Sequence, residues 1–321
     1  MSAKIRCAIL DDYQNVALSY ADWSPIADRV ETQVFSEHIA DENALVAALG
    51  DAQIIVIMRE RTPFTASLLA RLPALKLLIT SGMRNASIDM DAAKSHGITV
   101  CGTGSGGSAP VELTWALILG LARHLVTENN ALRESGPWQS TVGFGLSGKR
   151  LGLIGLGKLG QKTAEVGKAF GMEVVAWSQN LTAERAAEYG VTLAASKEEL
   201  LATSDVVSIH LVLSDRSRGL IDAAGLALMK PSALLINTSR AAIVDQPALI
   251  AALQNGQIGG AGLDVFDVEP LPVDHPFRTL DNVLATPHIG YVADGNYRTY
   301  FTETVEDIAA FLAGQPVRVL A

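Results

Sequence analysis

The chain has 321 residues, 49% apolar and 18% charged, enough for about two domains at the usual ~150 residues each and far from the composition of a disordered chain. With 25 Lys and Arg against 34 Asp and Glu the formal charge is −9. No basic run appears, so neither nucleic acid nor an anionic membrane is an expected partner. Cys7 and Cys101 lack the CxxC spacing of a zinc or redox pair, so they read as buried thiols and no metal site is expected. The apolar run 7–10 stops at Asp11, too short for a secretory segment, and the stretch 113–122 is about half a membrane span. A soluble cytoplasmic protein is the expectation.

In chain order, short apolar and β-branched runs recur at 5–10, 32–35, 54–58, 77–80 and 98–101, separated by helix-like segments at 41–49, 65–72 and 89–96. Continuous rather than alternating apolar runs suit strands covered on both faces, so this half reads as a doubly wound parallel sheet. A Gly-rich stretch, 102–107, precedes a helix predicted over 110–125, with Pro110 in its first turn and Ser108 as its cap. A second βα series has strands predicted at 150–154, 172–177, 205–211, 233–237, 260–265 and 282–285, and a last helix is expected over 294–313. The fold class is α/β with two domains: 1–102 plus 291–321 for substrate, and 103–290 for a dinucleotide.

Gly155-Leu156-Gly157-Lys158-Leu159-Gly160 is a GxGxxG between an apolar strand and a helix, the setting the motif requires. Gly155 permits the turn, Gly157 lets backbone approach a pyrophosphate, and Gly160 lets helix and sheet close together. An acid is expected about 20 residues further on if the ribose hydroxyls are to be held by a carboxylate. Ser178, Gln179 and Asn180 stand there instead, and the nearest Arg along the chain is Arg185. NAD and NADP both stay open, with tolerance of both expected.

Polar residues follow the apolar runs, where ligands of open α/β sheets bind: Ser81-Gly82, His210, Thr238-Ser239-Arg240, Asp264 and His288. His288 sits in Thr-Pro-His-Ile-Gly, and Glu269 is the candidate carboxylate to set its tautomer. Arg240 has the fork that binds a carboxylate. His38, His96, His124 and His275 read as structural or solvated.

The GxGxxG, the Asn-Thr-Ser-Arg ending at Arg240, the Gly-Leu-Asp-Val-Phe-Asp-Val-Glu-Pro run and the Thr-Pro-His-Ile-Gly run, in this order and spacing, together resemble the D-isomer-specific 2-hydroxyacid dehydrogenase family. The resemblance implies a flavodoxin-like substrate domain, a Rossmann dinucleotide domain, and a catalytic trio of Arg240, Glu269 and His288. It implies that Ser81, Gly82 and Met83 offer N–H groups to the substrate carboxylate, that Asp264 contacts the nicotinamide carboxamide, and that Thr114 and Thr238 lie near the nicotinamide ring. A homodimer through the cofactor domain is also implied. Ser178-Gln179 looks closest to the glyoxylate and hydroxypyruvate reductase branch. With the sequence ending at Ala321, the regulatory domain of many phosphoglycerate dehydrogenases is not expected, and Glu269 stands where formate dehydrogenases carry Gln, so neither subfamily is the expectation. Arg84 is a candidate for a second acidic group on the substrate. The expected activity is hydride transfer between NAD(P)(H) and C2 of a small 2-hydroxy or 2-oxo acid. A non-catalytic dinucleotide sensor is the rival, and a protein binding another phosphate ligand a third reading.

Overall fold

In the computed structural model, which describes residues 3–321, the chain forms two compact units: Met1–Gly106 with Val292–Ala321, and Gly107–Tyr291. The first unit carries strands β1 (Ile5–Ile9), β2 (Val30–Val34), β3 (Ile54–Ile57), β4 (Leu77–Thr80) and β5 (Thr99–Gly102). They pair in parallel in the order β2-β1-β3-β4-β5, the flavodoxin-like order. β3 and β4 are buried along their whole length, which is why their sequences are unbroken apolar runs rather than alternating ones. Helices α1 (Glu42–Leu49), α2 (Ala66–Ala70) and α3 (Met90–Ser95) start where Asp41, Thr65 and Asp89 accept a backbone N–H from three residues on. The C-terminal helix packs on this same unit. Its Tyr297 stands edge-on to Tyr20 at 5.8 Å, and the Tyr297 hydroxyl donates to Gln14. Cys7 and Cys101 are buried free thiols here.

The second unit opens with α4 (Ala109–Ala122) and α5 (Leu125–Arg133). The single helix expected over 110–125 ends early because His124 turns left-handed, φ +49°, and the chain restarts as α5. Ser108 does occupy the N-cap position, yet its hydroxyl accepts from Lys162 Nζ at 2.7 Å rather than capping the helix. Then come β6 (Arg150–Ile154), α6 (Lys158–Ala169), β7 (Glu173–Trp177), α7 (Ala183–Ala187), β8 (Thr192–Leu193), α8 (Lys197–Thr203) and β9 (Val206–Ile209). α9 (Ala223–Leu228), β10 (Leu234–Asn237), α10 (Gln246–Gln254), β11 (Gly260–Leu263) and β12 (Val283–Ala285) complete it, and α11 (Asp294–Leu312) is the helix that packs on the first unit.

The seven strands of the second unit run parallel in the order β12-β11-β10-β9-β6-β7-β8. This is the Rossmann order with one strand added, and its direction reverses between β6 and β9. β8, two residues long, gave no apolar run and was not expected. Apolar clusters cover both faces: Leu200, Ile209, Leu235 and Leu253 belong to one, Trp115, Ile118, Leu153 and Ile236 to the other.

Candidate active site

The glycine turn follows β6 directly. Gly155 has φ +102°, and a Cβ there would come within 2.6 Å of the His210 carbonyl oxygen, so only glycine fits. A Cβ on Gly160 would collide with the Gly155 carbonyl, whereas Gly157 faces open space. Steric demand at the two flanking glycines and clear approach at the middle one are what a pyrophosphate on the N-terminus of α6 needs. The residues therefore fit a dinucleotide. Gly155, Leu156 and Gly157 line a cavity of about 780 Å³ with Ser178, Gln179 and His210. Of the other motif residues, Leu159 packs on the core and Lys158 is exposed on the first turn of α6. Burial lowers the His210 imidazole to about 4, and its Nε2 lies 2.9 Å from the Ser208 hydroxyl, so this histidine is neutral at physiological pH. The same cavity is lined by Ser214 and Arg216, from the loop after β9. Sequence reading stopped at His210 and missed them, although the run Ser214-Asp215-Arg216-Ser217-Arg218 just beyond that strand was a signal.

Three neighbouring strands deliver the remaining polar groups. At the end of β10 the buried Asn237 side chain accepts from the Ser239 N–H at 3.0 Å and donates to the Arg240 carbonyl at 3.0 Å, while the Ser239 hydroxyl donates to the Ile209 carbonyl at 2.7 Å. That pins the backbone from which the Arg240 guanidinium extends, and its Nη1 donates to the Ser239 carbonyl. Thr238 meets Thr114 of α4 hydroxyl to hydroxyl at 2.8 Å, so two residues 124 apart in sequence share one place.

Beyond β11 stands Asp264, 1% exposed. One oxygen accepts from the Thr286 hydroxyl at 2.6 Å and the Ile289 N–H at 2.8 Å, the other from the Gly290 N–H at 2.8 Å. Burial pushes this carboxyl upward, and those three donors with the nearby His288 oppose the push. Both oxygens help to anchor the loop that carries His288, and a carboxylate with three donors keeps capacity for a further one.

His288 follows β12 with φ +53°, a left-handed turn that Asp264 holds from both sides. Its Nδ1 lies 2.7 Å from Glu269 Oε2, and Glu269 Oε1 accepts the Phe266 N–H at 2.9 Å. Both side chains are about one-fifth exposed, at 20% and 22%. A carboxylate only accepts, so Nδ1 carries the proton of this bond and proton exchange falls to Nε2. Arg240, Glu269 and His288 thus leave the carboxyl ends of β10, β11 and β12, which are neighbours in the sheet.

In the other unit, the loop after β4 is tied into its own sheet and neighbouring loop. The Ser81 N–H donates to the Ile57 carbonyl at 3.1 Å, continuing the sheet, and the Gly82 N–H donates to the Thr103 hydroxyl at 3.1 Å. Two of the three amides expected to face a substrate carboxylate are therefore engaged within the unit. Gly82 has φ +94°, and a Cβ there would run into the Arg59 guanidinium. Asn85 ties the loop down, donating to the Arg59 carbonyl at 2.7 Å and to the Thr80 hydroxyl at 2.9 Å. Met83 and Arg84 are exposed.

Residues 115–290 match the family model of the D-isomer specific 2-hydroxyacid dehydrogenase NAD binding domain. The chain is 38% identical over 257 residues to a glyoxylate reductase of Aeropyrum pernix, covering 77% of this chain and 76% of that protein. It is 36% identical over 265 residues to the D-3-phosphoglycerate dehydrogenase of Bacillus subtilis, covering 82% of this chain but only 50% of that enzyme. Among solved structures, a phosphoglycerate oxidoreductase from Vibrio cholerae superposes with a TM-score of 0.92 at 38% identity, over 97% of this chain and 99% of the other. With a motif-bearing Rossmann sheet, a cavity beside the glycine turn and these relatives, the chain belongs to the D-isomer specific 2-hydroxyacid dehydrogenase family, whose members here are NAD(P)-dependent enzymes.

Proposed function

We propose that the protein transfers a hydride reversibly between NAD(P)(H) and C2 of a small D-2-hydroxy or 2-oxo acid, with His288 and Glu269 as the acid–base couple and Arg240 holding the substrate carboxylate. The observation that carries this reading is the 2.7 Å contact between His288 Nδ1 and Glu269 Oε2 beside the strand end that bears Arg240. The bound nicotinamide supplies the hydride acceptor for oxidation and the donor for reduction. Everything else is done by side chains of the chain itself. His288 Nε2 takes the hydroxyl proton during oxidation and returns it to the 2-oxo oxygen during reduction, while Glu269 stabilises the imidazolium and fixes its tautomer. The Arg240 fork orients the carboxylate so that C2 is presented for transfer, an effect worth several kcal/mol in well-aligned systems.

A panel of glyoxylate, hydroxypyruvate and pyruvate with NADH and NADPH, followed by absorbance, tests the reading. H288Q is expected to lower kcat by about 10²–10⁴, the usual contribution of a positioned acid–base group, and wild-type turnover in that variant removes His288 from the mechanism. The names of the relatives favour glyoxylate among these substrates, and they do not favour a non-catalytic sensor. The exposed apolar side chains Leu125, Val126, Leu132, Trp138 and Val142, on α5 and the segment after it, support a homodimer through the cofactor unit, to be read by light scattering on the purified protein.

A further inference from the structure

Arg185, the arginine nearest to the end of β7 along the chain, is not the one that reaches the cofactor cavity. It pairs with Glu188 and lies over the Tyr189 ring at 4.8 Å. Arg216 is the one, 38 residues beyond Ser178 along the chain (216 − 178) and brought to the same cavity because β9 lies beside β6. In a sheet of this order the residue ending the second strand, here β7, stands at the adenosine ribose, and a carboxylate there selects the free 2′-hydroxyl by repelling a 2′-phosphate. The residues at that point are Ser178, Gln179 and Asn180. Among the described residues lining the cavity there is no Asp or Glu, and Arg216 is the single fixed positive charge. Asp215, its neighbour in the chain, is exposed and not part of the lining. His210, kept neutral by burial, contributes no competing charge.

We infer that Arg216, with the Ser178 hydroxyl and the Gln179 amide, forms a subsite for the 2′-phosphate of NADP(H), and that the enzyme prefers NADP(H) to NAD(H). The reasoning rests on the dinucleotide reading above and sharpens it. A guanidinium donates two parallel N–H bonds to a phosphate, a hydroxyl and an amide complete the donor set, and no carboxylate opposes the dianion.

The test is binding rather than turnover: fluorescence titration of the full-length protein with NADPH and with NADH, no oxo acid present. Wild type is expected to bind NADPH more tightly by about tenfold or more, the usual size of one charge-assisted contact. R216A should lower that NADPH-to-NADH ratio by about tenfold, and R216K should recover part of it because a point charge replaces the fork. S178D should depress the ratio by placing a carboxylate where none stands. Tighter binding of NADH by wild type, or an R216A ratio equal to that of wild type, overturns the inference alone. Failure to bind either dinucleotide overturns the dinucleotide reading with it.

Discussion

Glu269→Gln isolates the charge of the acid–base couple while keeping its shape. In the native pair Glu269 Oε1 accepts the Phe266 N–H at 2.9 Å and Oε2 faces His288 Nδ1 at 2.7 Å. A glutamine must keep its carbonyl oxygen on Phe266, because that partner only donates, so its NH2 turns to His288. Nδ1 then has to accept, the ring proton moves to Nε2, and the nitrogen that must take the substrate proton already holds one. The charge term can be sized independently. For unit charges about 4 Å apart at an effective dielectric near 20, the attraction is about 4 kcal/mol, and with both side chains only about one-fifth exposed little of it is screened away. Losing this from the transition state lowers kcat by about a thousandfold. The assay is NAD(P)H absorbance in both directions on the best acid of the panel, with cofactor titration to show that the variant still binds dinucleotide. Glu269→Asp, which keeps the charge on a shorter arm, should fall between the two. Turnover of Glu269→Gln within about threefold of wild type in both directions would refute the acid–base assignment.

Two further outcomes follow from the first unit. His38 is raised above its ordinary value chiefly by its 2.9 Å bond to the buried Asp11, which the Thr62 hydroxyl also holds at 2.6 Å. A group whose folded value is raised adds stability that is complete below its unfolded value near 6.5 and is lost as pH climbs through the folded one. His38→Gln should therefore lower Tm more at pH 6 than at pH 9 in calorimetry, and an equal loss at both would contradict the pairing. Burial raises the thiols of Cys7 and Cys101 to about 12 each, so neither should react with Ellman's reagent at pH 8 until the protein is unfolded; a thiol reacting at the rate of a free peptide would show that unit 1 opens.

How much of this was legible beforehand depends on the distance over which each cause acts. The parallel strands were readable because burial on both faces demands unbroken apolar runs, as along Ile54–Ile57. The glycine turn was readable because its three glycines fall within six residues between an apolar strand and a helix. β8, with two residues, is too short to leave a pattern. The break at His124 is a backbone reversal that helix-like composition does not reveal. For the site, the residue types stood out by position after apolar runs, but their encounters did not. Glu269 and His288 are 19 residues apart and meet because β11 and β12 pair side by side. Asp264 turned out to anchor the His288 loop, since both its oxygens were claimed by residues of another strand end. Arg216 lines one cavity with Ser178 and Gln179 because β9, though later in the chain than β7 and β8, inserts next to β6. Amino-acid order determined the elements and the kinds of chemistry they carry, since helix, strand and turn preferences act over a few neighbouring residues. Which side chains meet was decided only by strand order and register, which the packing of the whole sheet selects.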